Sequence, residues 1–70
     1  MSSYEQAIAT AAAKIERLLK SRRQIAVDPD GVRELAQQLD VRLHPLYCAI
    51  DGLCLRGAAV LDQNVLRLAG

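Results

Sequence analysis

The chain has 70 residues, 51% of them hydrophobic, with two tyrosines as its only aromatics and nine Lys or Arg against eight Asp or Glu. That length holds one domain at most, residues 1–70, in which every element shares one core of Leu, Ile, Val and Ala. The composition excludes a disordered chain, and the net charge of +1 gives no global attraction for nucleic acid. No apolar run approaches the roughly 20 residues that span a bilayer.

The N-terminal segment is amphipathic and carries Glu5 and Glu16, so neither a secretory leader nor a transit peptide is expected. Cys48 and Cys54 are then expected to be reduced thiols in a cytoplasmic protein. From residue 3 to about 21 the chain is rich in good helix formers and lacks Gly and Pro. Ile8, Ala11 or Ala12, Ile15, Leu18 and Leu19 recur at three- and four-residue steps, which predicts a first helix with one buried stripe. Ser2 or Ser3 can cap it, and Lys14, Arg17, Lys20, Arg22 and Arg23 suit the negative end of its dipole.

Residues 24–27, QIAV, place Ile25 and Val27 two apart and predict a short strand. Asp28 is a good N-cap, and Pro29 fits the first helical position, where its missing N–H costs nothing. Val32, Leu35, Ala36 and Leu39 then form the stripe of a second helix, over residues 29–40. After a short connection, Pro45 is again a plausible first helical residue, and Leu46, Ala49, Ile50 and Leu53 predict a third helix over 45–56. Gly57 falls where a left-handed C-terminal cap belongs. Gly52, inside this helix, costs up to about 1 kcal/mol relative to Ala, so packing must hold the helix together. The last segment, AAVLDQNVLRLA, reads as a hairpin turning at residues 62–64.

The order helix, strand, helix, helix, hairpin resembles the winged helix-turn-helix family. The residues that carry the resemblance are Glu34, Leu35, Ala36, Leu39 and Val41 in the middle helix and Leu53 and Gly57 at the end of the third, within residues 14–69. These are packing positions. The resemblance implies a mainly α fold of three helices with a small two- to three-stranded wing sheet. It also implies duplex DNA as the usual partner, with the third helix in the major groove and the wing against the backbone, although some members bind proteins instead.

On a helix of about 100° per residue, the inward stripe of the third helix leaves His44, Tyr47, Cys48, Asp51 and Leu55 facing outward. These would be the base-reading positions, with Gln63 and Asn64 at the wing tip. Base edges are usually read by Arg, Lys, Asn or Gln, and the third helix has none before Arg56. Phosphate contacts would fall to Lys20, Arg22, Arg23 and Arg42, because residues 14–23 hold five cations and one acid, against four cations and six acids in residues 24–70. The same basic run is equally consistent with a solvated helix face. Tyr47 and Leu55 are either anchors for a protein partner or side chains packed on the wing.

The expected function is therefore that of a small DNA-binding protein in transcriptional or mobile-element regulation, the alternative being a protein-interaction adaptor or inhibitor. His44, Cys48 and Asp51 share a helical face, but three such residues without a second cluster do not make a zinc site, so no metal or cofactor is expected. Cys48 and Cys54 point about 120° apart around the helix and do not pair. Without a phosphate loop or an oriented nucleophile, no enzyme activity is expected. The alanine-rich residues 1–13 extend the first helix, either as a frayed end or as a homodimer interface through Tyr4, Ile8 and Ala11.

Overall fold

Six elements follow one another in the computed structural model, which describes residues 3–69: α1 (Ser3–Arg22), β1 (Gln24–Ala26), α2 (Pro29–Leu39), α3 (Leu43–Leu55), β2 (Ala59–Asp62) and β3 (Val65–Leu68). The protein is thus mainly helical, with a small antiparallel sheet of order β1-β3-β2. Ser2, one of the two expected caps of α1, lies outside the described residues, and Ser3 is already helical.

The helix ends show how local chemistry sets the boundaries. Asp28 caps α2, its carboxylate accepting from the Gly31 N–H at 3.2 Å, and Pro29 occupies the first turn. At the other end Asp40 adopts φ 55°, Val41 N–H reaches Ala36 O at 3.0 Å, and the chain turns into α3 within three residues. Gly57, at φ 77°, ends α3 in the same way: its N–H bonds to Cys54 O at 3.1 Å, and that of Ala58 to Leu53 O at 2.9 Å.

α3 begins two residues earlier than Pro45 suggested. Leu43 and His44 are helical and Pro45 is a buried third residue, a position that tolerates proline because none of the first four N–H groups has an intrahelical partner. Val27 leaves the strand, but its N–H still donates to Asn64 O at 2.8 Å. The hairpin turns on Gln63 and Asn64, both at positive φ (48° and 65°), which matches the right-handed twist of the flanking strands.

The core is a single cluster of aliphatic side chains. Ala11, Ile15 and Leu19 of α1, Val32, Leu35 and Ala36 of α2, and Leu46, Ala49, Ile50 and Leu53 of α3 are all buried in it. The sheet covers this cluster with Ile25, Ala59 and Leu66, of which Ile25 and Leu66 are register partners. Among the described residues no polar or charged side chain is buried.

α1 enters this core at Ile8 and Ala11, one to two turns after its start. Ala11 is fully buried and Ile8 half-buried, so Ala11 cannot belong to a dimer interface. The run of consecutive alanines left the direction of the stripe ambiguous, and Ile15 and Leu19 resolve it. Lys14 is likewise not a free surface cation: its ammonium donates to Leu39 O at 2.7 Å and so closes the C-terminus of α2.

Leu35→Ala and Leu53→Ala should each lower stability by about 2–5 kcal/mol, read from denaturant midpoints, because each removes a branched side chain from the centre of the cluster. Gly31→Ala should also destabilise, by about 1–3 kcal/mol, despite the better helix propensity of alanine. A Cβ there would lie 2.5 Å from the Asp28 carboxylate and 2.7 Å from Ala26 O, the second of these being backbone that cannot move aside cheaply.

Candidate interaction surface

α1 and α3 run side by side in the same direction. Tyr4 meets His44 near their N-termini, and Glu16 accepts from Arg56 at 3.0 Å near their C-termini, each contact joining residues 40 apart in the chain. This constant offset keeps one flank of α3 against α1. The Tyr4 hydroxyl is hydrogen-bonded to His44 Nδ1 and lies 3.5 Å from Cys48 Sγ, and its ring sits 5.5 Å from the imidazole. Cys48 is accordingly half-buried, not outward-facing, and His44 is already engaged. Two of the five expected base-reading side chains are therefore turned to α1.

The remaining outer stripe of α3 consists of Leu43, Tyr47, Asp51 and Leu55, all exposed. Leu55 is 88% exposed and Tyr47 48%, so neither is packed away on the wing or on α2. On the hairpin, Val60 stands opposite Arg67, while Leu61 pairs with Leu66 and Leu68 with Ala59. Side chains alternate across a strand, so Leu61 and Leu68 share the core-facing side with Ala59 and Leu66. They still reach solvent, at 51% and 37% exposure: Leu61 lies on the edge strand β2, and Leu68 lies beyond the part of β3 that pairs with β1.

Among the described residues seven large apolar side chains are exposed; six lie on α3 or the hairpin, and the seventh is Tyr4. Within residues 43–68 the fixed charges are Asp51, Arg56, Asp62 and Arg67, which cancel. α3 and the hairpin therefore carry most of the exposed large apolar side chains of the described residues and no net fixed charge. Sequence reasoning missed Leu43, Val60, Leu61 and Leu68 because it assigned Leu43 to the connection before Pro45 and weighed the hairpin only for its strands, its turn and its charges. Period-two alternation from Ala59 marks Val60 as outward, whereas Leu61, on the core-facing side, carried no such signal.

The expected phosphate-binding residues fall in two separate places. Lys20, Arg22 and Arg23 are exposed in the last turn of α1 and just beyond it, with Arg17 one turn earlier. Arg42 lies at the start of α3, beside Gln6 and Thr10 of the first half of α1. Along α1 that is a separation of roughly 15 Å from Thr10 to Lys20. Gln63 and Asn64 are exposed at the tip of the hairpin. Among the described residues no group of three or more His, Cys, Asp or Glu is placed to hold a metal ion. No described helix is long and apolar enough to cross a membrane.

Comparison of the chain with protein-family models, with curated proteins and with solved structures finds no match.

The hydrogen bond to Cys48, then desolvation and the charge of Cys48, raise the Tyr4 phenol above its ordinary value of 10.0. A tyrosine whose folded pKa is raised contributes stability that is complete below the unfolded pKa and is lost as pH rises through the folded one. In a Tyr47→Phe background, absorbance titration of the remaining phenol should give a midpoint above that of free tyrosine, and Cys48→Ala should bring it down. An unchanged midpoint in the double variant would mean that the thiol does not hold the phenol.

Proposed function

We propose that this chain is a winged helix-turn-helix domain acting as a protein-interaction module, with the outer stripe of α3 and the β2–β3 hairpin as its contact surface. The fold reading is supported by the element order, the three-residue turn between α2 and α3, and a sheet in which β1 joins the hairpin through β3. One observation carries the functional reading: the exposed apolar side chains gather on α3 and the hairpin, where the fixed charges cancel. Interfaces are anchored by aromatic and apolar side chains seated in a partner's pockets, whereas phosphate recognition needs cations. The matching partner is a protein with an apolar groove that takes Tyr47 and Leu55, and the role is that of an adaptor or inhibitor.

A second reading, duplex DNA binding in transcriptional or mobile-element regulation, is favoured by the exposed Arg17, Lys20, Arg22 and Arg23 around the last turns of α1. In that reading α3 contributes little attraction, and base preference rests on Tyr47 with Asp51 opposite cytosine.

Two measurements separate the readings. Retention of generic duplex DNA at about 50 mM salt, with a salt slope that falls by about one unit for each phosphate-binding arginine removed in Arg22→Ala/Arg23→Ala/Arg42→Ala, would select DNA and overturn the first reading. The expected result is no retention. Affinity capture should instead yield a protein that Tyr47→Ala and Leu55→Ala each release, by about 2 kcal/mol or more if they are anchors, while the arginine changes alter mainly the rate of encounter.

A further inference from the structure

α1 and α3 enclose an open groove of ≈ 400 Å³ on the flank opposite α2, with Ala9, Ala12 and Ala13 on one wall and Gly52 on the other. Among the described residues nothing requires Gly52 to be small, because a Cβ there would meet none of their atoms within 4 Å. The groove is bounded by charge, with Glu5 at one end and the Glu16–Arg56 pair at the other. Lys20 continues the same ridge of α1 one turn beyond Glu16, since residues 5, 9, 12, 16 and 20 follow three- and four-residue steps.

We propose that a second copy of this chain docks in the groove, its α1 lying antiparallel to the first, to form a two-fold four-helix bundle of α1, α3 and their partners. An isologous interface requires one patch to serve as both wall and ridge, and α1 supplies both. Antiparallel pairing about the Ala12–Ala13 midpoint sets Glu5 opposite Lys20 of the partner subunit, and Lys20 opposite the partner's Glu5. It also brings the partner's Glu5 towards Arg56. The small side chains at the centre let the two helices approach closely, and the antiparallel dipoles favour the arrangement. The contact uses the Ala9, Ala13 and Gly52 flank, so the stripe of Leu43, Tyr47, Asp51 and Leu55 remains outside it. The inference therefore does not depend on the proposed partner-binding role.

Sedimentation equilibrium of the full chain tests it. A dimer is expected at micromolar concentration. Glu5→Lys and Lys20→Glu should each raise the dissociation constant by about tenfold or more through like-charge contacts. The double variant Glu5→Lys/Lys20→Glu should recover the dimer, because each reversed charge again meets its opposite. Ala13→Arg should give a monomer with unchanged circular dichroism, since Ala13 is exposed and makes no part of the core. A chain that stays monomeric at high micromolar concentration overturns the proposal. So does a dimer that survives Ala13→Arg, or single charge reversals that leave association unchanged. Loss of the dimer in Val60→Arg but not in Ala13→Arg would place the interface on the β2 edge and overturn it equally.

Discussion

The parallel packing of α1 along α3 is the constraint on which the rest of this structure depends. Ala11, Ile15 and Leu19 line one side of it and Leu46, Ala49 and Leu53 the other, and all six are essentially inaccessible to water. Once those rows are in contact, the offset of 40 residues brings Tyr4 to His44 and Glu16 to Arg56. Lys14 is then turned towards α2, within reach of Leu39 O. None of these polar contacts is strong enough to choose the arrangement. Exposed pairs contribute at most about 1 kcal/mol, whereas each buried aliphatic contributes about 1.5–3 kcal/mol. The polar contacts fix details of a geometry that burial has already selected.

Much of the fold was legible because local signals and burial agreed. The stripes in α2 and α3, the Asp28–Pro29 start and the Gly57 stop placed three helices and a hairpin within two residues of their observed bounds. What escaped were contacts between elements. Nothing near Tyr4 in the chain announces His44 and Cys48, and nothing near Lys14 announces the carbonyl of Leu39. The alanines at residues 11–13 are equally compatible with core and solvent, so only their larger neighbours could decide which of them faces inward. For the candidate surface, Tyr47 and Leu55 were legible as outward-facing on helix geometry, but Cys48 was not, because its position on the wheel is outward only if nothing lies beside α3. Leu43 was hidden behind a boundary that Pro45 seemed to mark.

The surface divides by charge as sharply as the core divides from solvent. Cations gather on the second half of α1, while α3 and the hairpin show aliphatic side chains and cancelling charges. A ligand drawn by long-range attraction would be steered to the end of α1, and one held by desolvation would settle on α3. The two faces thus differ in their response to salt: the first weakens as the Debye length shrinks, and the second does not.

β3 comes last in chain order yet lies at the centre of the sheet, between β1 and β2. Ile25 must wait for Leu66, its register partner some forty positions later, and β2 has no strand to pair with until the same segment arrives. During synthesis the ribosome delivers residues in order, at about 5–20 per second. Until residues 65–68 are in place, Ile25 has no register partner and the core lacks Leu66. β2 and β3 meet across a two-residue turn, whereas the pairing of β1 with β3 joins residues some forty positions apart. The hairpin is thus a local contact and the seating of β1 against it a non-local one, so the sheet joins these two parts of the chain only at the entropic cost of closing the loop between them.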